Sequence, residues 1–186
     1  MNFKYNYIIL LILFLNQSAK GAENLFLYKG TFSRSIKIEE LSKFRLTKKP
    51  SNKLKNLIKI TGQKEKDLHK ILSTKIEFPI KTSSKLMNSR IGEVFLSRLS
   101  KIIHPNKITN IKLSTKAIRS GLLISSFNNN QKITLIDFLE AYPNKNIAFD
   151  LNALSKTLKK VDSLKELIEF YSDSPFKKLK DGRSST

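Results

Sequence analysis

From Leu41 onward the apolar residues recur at spacings of three and four, and a proline, glycine or polar cluster cuts each run short. This period constrains the chain most, because such a stripe is buried only when a helix turns one side inward. Helices this short gain little from propensity and must pack on one another or on a sheet. Glu39 and Glu40 suit the N-terminus of a helix carrying Leu41 and Phe44, broken at Lys48-Lys-Pro-Ser51. Ser51 is placed to cap a helix with Leu54, Leu57, Ile58 and Ile60 on one face, ended by Thr61-Gly-Gln63. Leu68, Ile71 and Leu72 mark the next, stopped by Phe78-Pro79, and Ser83–Asn88 reads as one or two turns. The clearest amphipathic segment runs from Ser89 to Ile103, with Ile91, Val94, Phe95, Leu99, Ile102 and Ile103, and His104-Pro105 closes it.

Ser114 is expected to cap a helix reaching about Phe127. Its Ala117, Ile118, Gly121, Leu122, Leu123 and Ile124 cover more than one face, which marks it as the central helix of the core. Thr134 starts a helix ended by Pro143. Leu151, Leu154 and Leu158 form a short one, and Leu164, Leu167, Ile168 and Tyr171 another, with Ser163-x-x-Glu166 as its capping box. Ahead of all these the period changes to two. Asn24–Tyr28 and Thr31–Ile38 flank Lys29-Gly30 as a β-hairpin, which Asn146–Asp150 can join as a third strand. The expected class is α+β, predominantly helical, with a small N-terminal hairpin and one later short strand.

The N-terminus reads as an address. Lys4 precedes the apolar run Ile8–Leu15, and Ala19-x-Gly21 suits signal peptidase. Eight apolar residues rise only about 12 Å as a helix, under half of a hydrocarbon core of about 30 Å. The pattern therefore favours export, to periplasm, thylakoid lumen or extracellular space, over an N-terminal membrane anchor. The expected organisation is a signal peptide at 1–21, one helical domain at 22–171 and a polar, basic, disordered tail at 172–186.

The chemistry available is narrow. With no cysteine, a disulfide scaffold, thiolate metal ligation and acyl-cysteine anchoring are excluded. There is no Gly-x-Ser-x-Gly elbow, no His-Glu-x-x-His, no acidic calcium loop and no phosphate-cradling glycine loop. His69 lies on a charged helix face and His104 at a helix end, where the dipole already accounts for it. The carboxylate pairs Glu39/Glu40 and Glu166/Glu169 suit a helix N-terminus and a solvated face. No catalytic residue, cofactor site or metal site is assigned.

The net charge of +20 would remain +18 after loss of Lys4 and Lys20. It is uneven: Leu41–Lys64 and Val94–Ile136 contain no acid at all. An anionic membrane surface or acidic partner would suit such segments. Lysine supplies 29 of the 35 cations, which favours compositional drift and solubility over a binding role; an anionic membrane surface comes next, and scarce arginine and absent aromatic motifs weigh against nucleic acid. Arg119 interrupts the apolar central helix; if it faces the core it needs a carboxylate, for which Asp150 is the candidate in a structural ion pair.

The order of Glu23-Asn-Leu-Phe-Leu-Tyr28, Arg34-Ser-Ile-Lys-Ile38, Gly92 with Leu96 and Leu99, Ala117-Ile-Arg-Ser-Gly-Leu-Leu-Ile124, and Thr134–Pro143 leading into Asn146–Leu151 is familiar. It resembles an exported cyanobacterial domain labelled "alpha/beta hydrolase of unknown function", over roughly Glu23 to Leu151. The resemblance implies an accessory domain of the kind that stands ahead of a catalytic lipase-like domain, to which the hydrolase label belongs. The 35 residues after Leu151 leave no room for that second domain, its elbow or its triad, so no catalytic residue is carried over. The expected function is an exported, non-catalytic interaction domain engaging a separately encoded hydrolase or envelope component. Two alternatives stay open: a basic peripheral protein on anionic membrane, and a small hydrolase with an unrecognised site.

Overall fold

The computed structural model describes residues 21–62 and 64–158. Residues 1–20 of the expected address, the helix on Leu164–Tyr171 and the basic tail lie outside the described residues. Strands β1 (Asn24–Lys29) and β2 (Phe32–Lys37) form the expected antiparallel hairpin, with Leu25 opposite Ile36. Gly30 has φ +61°, the left-handed value that the first position of a tight two-residue hairpin turn requires. Helix α1 (Ile38–Thr47) follows at once, with Glu39 and Glu40 in its first turn. Lys43 pairs with Glu39 at 2.7 Å one turn on, and this hydrogen bond holds the Glu39 carboxyl below its usual range. Helix α2 (Asn52–Thr61) is capped by Ser51, whose Oγ accepts from the Leu54 N–H, and ends at Gly62 with φ +70°. Its Leu54 and Ile58 are buried, whereas Ile60 is exposed. Helix α3 (Glu65–Ser73) buries Leu72.

Beyond α3 the structure departs from the sequence reading in several places. A two-residue strand, β3 (Ile76–Glu77), precedes α4 (Ile80–Met87), which is longer than the turn or two expected. Helix α5 (Arg90–Leu99) is capped by Ser89 but stops four residues short of Ile103. Ile103 belongs to β4 (Ile103–Pro105), where Ile103 and Pro105 are buried on either side of His104, a period of two. The inward face of α5 is Gly92 and Leu96, while Ile91 and Val94 face solvent. Close approach decides this phase: Gly92 lies against the backbone of Leu86 and Met87 at the end of α4, where no larger residue fits.

Helix α6 (Ile111–Asn128) begins earlier than expected, capped by Asn110 rather than Ser114. Ser114 is buried in its first turn and donates to the Asn110 carbonyl at 3.0 Å. Strand β5 (Lys132–Ile133) pairs antiparallel with β3, forming a second small sheet that the sequence reading missed. Helix α7 (Leu135–Ala141) starts with a capping box. Thr134 Oγ1 accepts from the Asp137 N–H, and Asp137 Oδ2 accepts from the Thr134 N–H at 2.7 Å. Strand β6 (Asn146–Asp150) and helix α8 (Leu151–Leu158) complete the described residues, in which helix dominates an α+β architecture of eight helices and six strands.

The main sheet has the order β2-β1-β6-β4. As expected, β6 joins the hairpin; it runs parallel to β1, with Leu25 opposite Ile147, and β4 closes the far edge antiparallel to β6. Pro105 sits on that edge strand, where a missing N–H breaks no central ladder. Leu25, Ile36, Ile103 and Ile147 form one cluster with Phe44 of α1, Ile118 of α6 and Ile136 and Leu139 of α7. Helix α6 packs on α4, α5, α7 and β4, the central position its composition implied.

Tyr142, fully buried and edge-on to Phe138 at 5.7 Å, has no partner for its hydroxyl among the described residues. Burial pushes this phenol well above its ordinary value of 10.0. Tyr142→Phe is therefore expected to raise stability by about 1 kcal/mol, since it removes an unsatisfied buried group. Above pH 10 the unfolded tyrosine loses a proton that the folded one keeps, so wild-type stability falls as pH rises and the gap to Tyr142→Phe widens. Urea unfolding at pH 7 and pH 10.5 measures both; a less stable variant would mean that the hydroxyl is satisfied.

Candidate functional site

Hydrolytic chemistry needs a nucleophile, a base with a free lone pair and an oriented acid. Among the described residues the buried hydroxyls are mostly tied to nearby backbone. Ser100, Ser114 and Ser125 each donate to a carbonyl three or four residues back, and Ser126 donates to Phe78 O. The buried Ser83 hydroxyl has no hydrogen-bond partner among the described residues.

His69, half-buried on α3, has Nε2 at 2.9 Å from the Arg45 carbonyl, with its ring edge-on to Phe44. A carbonyl only accepts, so that bond needs a protonated Nε2 and leaves no lone pair there for Ser73 Oγ at 3.4 Å. His104 stands on β4, not at the helix end expected for it. The strand pairing of Ile103 and Pro105 with Phe149 and Ile147 displaces the helix, and Nδ1 of His104 lies 3.0 Å from Pro105 O. The histidines thus occupy different elements, each against a backbone carbonyl. No group of three or more His, Asp or Glu that could hold a metal occurs among the described residues. Glu39 is occupied by Lys43, and Glu40 accepts from Ser51 Oγ at 2.6 Å; Glu166 and Glu169 lie outside the described residues.

Arg119 and Asp150 have separate partners. The Arg119 Nη2 donates to Met87 O at 2.9 Å, bringing a cation from α6 to the C-terminal end of α4, where carbonyls lack helical donors. Its Nε is buried without a hydrogen-bond partner among the described residues. Asp150 Oδ1 accepts from the N–H groups of Asn152 and Ala153 at 2.8 and 2.9 Å, capping α8.

Two surfaces carry unspent binding capacity. A groove of about 160 Å³ between β2 and α2 is lined by Arg34, Ser35, Lys53, Asn56, Leu57 and Ile60, with two cations over an apolar floor. It is small beside the few hundred Å³ usual for small-molecule sites. The second surface is the outer side of α6, where Leu113, Ile124 and Phe127 are exposed. The sequence reading recognised that α6 is apolar on more than one face but assigned both to the core. The stripe 113–117–120–124–127, with its spacings of four and three, was the signal available. No helix among the described residues is long and apolar enough to cross a membrane.

Architecture and groups together define a small, helix-dominated α+β fold without an assembled reaction centre among the described residues. The chain belongs to the family described as "Alpha/beta hydrolase of unknown function (DUF1400)", which matches residues 21–150. No curated protein and no solved structure matches it.

Proposed function

We propose that the protein is an exported, non-catalytic accessory domain of this family, acting by binding a separately encoded hydrolase or an envelope component. The observation that carries this reading is how the imidazoles are used: Nε2 of His69 and Nδ1 of His104 face backbone carbonyls on separate elements, away from a nucleophile–base–acid arrangement. Export is supported by the position of the family match, which begins at residue 21, behind the segment read as an address.

A panel of short- and long-chain aryl esters tests the first point. Purified protein is expected to give no turnover above buffer; turnover that disappears in His69→Ala or His104→Ala would overturn the reading. Cell fractionation with N-terminal sequencing tests the second. Recovery outside the cytoplasm with Ala22 as first residue is expected, and a cytoplasmic protein still starting at Met1 would refute export.

A further inference from the structure

Helix α6 has two apolar faces and the core uses one. Ser114, Ile118, Gly121 and Ser125 are buried. On the other side Leu113, Ile124 and Phe127 are exposed along roughly 21 Å of helix, with the half-buried Ala117, which also touches the core, and Ser120 between them. Leu113 is 52%, Ile124 43% and Phe127 77% exposed. Helix α5, packed against α6, adds Ile91 at 75% and Val94 at 54%. Among the described residues, six of the ten exposed large hydrophobics lie between Ile91 and Phe127 in the chain.

The charges of α6 have one sign, whereas α5 carries the exposed Glu93 between Ile91 and Val94. From Val94 to Ile136 there is no acid, while Arg98, Lys101, Lys107, Lys112 and Lys116 are present. On a helical wheel Lys112 and Lys116 flank the exposed side of α6 directly. We propose that this outer side of α6 docks on an anionic phospholipid bilayer, with Phe127, Ile124 and Leu113 entering the headgroup–acyl boundary and the flanking lysines reaching the phosphates. This goes beyond the accessory-domain reading and does not depend on it.

Charge complementarity selects the occupant. A second copy would add the same cations and bring no acid on its own α6 to offset them. An acidic protein would satisfy the charges, but a side chain 77% exposed projects from the surface rather than lining a groove that a partner could fill. Projecting apolar residues with long cationic neighbours match what a bilayer interface accepts: apolar tips sink about 5–10 Å and lysine stems extend along them to the headgroups.

The chain has no tryptophan, so one introduced indole reports its own surroundings. Phe127→Trp and Phe32→Trp alter two phenylalanines of similar exposure, 77% and 70%, on different elements. Each is made in the full chain and mixed with vesicles of phosphatidylcholine, or of phosphatidylcholine with phosphatidylglycerol at about 30%. With the anionic vesicles, Phe127→Trp is expected to show blue-shifted emission and quenching by bromine-labelled acyl chains, while Phe32→Trp shows neither. Partitioning should weaken about tenfold between 0.05 and 0.5 M salt, and again on adding Lys112→Glu with Lys116→Glu.

Sedimentation with vesicles but no change at position 127 would overturn the proposal, because attachment would then run through another part of the chain. So would a blue shift without vesicles that grows with protein concentration, the signature of a second copy, or one independent of concentration, the signature of the chain's own terminal segment. A shift produced by an acidic amphipathic peptide and not by vesicles would assign the face to a protein.

Discussion

Gly92→Ala is expected to lower stability by about 3 kcal/mol, whereas Gly121→Ala changes it by less than about 1 kcal/mol. Both glycines lie within helices, so alanine brings each the same gain in helix propensity, about 1 kcal/mol. Their surroundings differ. A Cβ on Gly92 would fall on the Leu86 carbonyl oxygen and 2.7 Å from both the Leu86 carbonyl carbon and Met87 Cα. These are backbone atoms at the end of α4, and they cannot rotate aside. The same carbonyl accepts from Ser89 N–H and Ser89 Oγ, and Arg119 holds Met87 O from α6. Room for one methyl group therefore requires three helices to separate. A Cβ on Gly121 meets the Phe138 ring edge at 3.1 and 3.3 Å, and a ring can tilt by a few tenths of an ångström; its one backbone neighbour, Tyr142 Cα, is 3.4 Å away, an ordinary contact distance. Urea titration of both variants measures the contrast. Equal losses would mean that α5 does not approach α4 this closely.

That junction also marks the boundary of what the residues reveal by themselves. Features specified within a few residues were legible: the hairpin around Gly30, the caps at Ser51 and Thr134, the helix stop at Gly62 and the alternation of β6. Their partners are neighbours in the chain, so their chemistry is local. The phase of α5 was not legible, because the stripe with most apolar residues includes Ile91 and Val94, and the face that packs is selected by Gly92. The strand character of Ile103–Pro105 was hidden because its ladder partners, Phe149 and Ile147, are more than 40 residues away. Strands β3 and β5 have two residues each, too few for any period. Arg119 was recognised as an exception in an apolar helix, yet its partner is a carbonyl 32 residues earlier, and a carbonyl leaves no trace in residue types. The outer face of α6 was visible as excess apolarity. Only its exposure separates it from a doubly buried core helix.

Phe44→Ala is expected to cost about 3–5 kcal/mol, the usual penalty for deleting a buried ring whose cavity cannot fully collapse. Against a total stability of about 5–15 kcal/mol, that is a third or more of what holds such a fold together. The position is severe because α1 is fixed on three sides. Its first residue, Ile38, is buried, and its N–H donates to Glu23 O, anchoring it to the start of β1. Phe44 is 1% exposed and lies 5.8 Å from the His69 ring at 87°, the edge-to-face arrangement in which aromatic pairs attract. The C-terminal carbonyl of Arg45 is held by His69 Nε2 at 2.9 Å. Removing the phenyl group leaves the imidazole beside a void while it still bonds to α1, so collapse toward the cavity would stretch that hydrogen bond. Phe44→Leu keeps most of the volume and should lose markedly less. If Phe44→Ala unfolds in urea within about 1 kcal/mol of the parent at unchanged m-value, α1 is not packed as described.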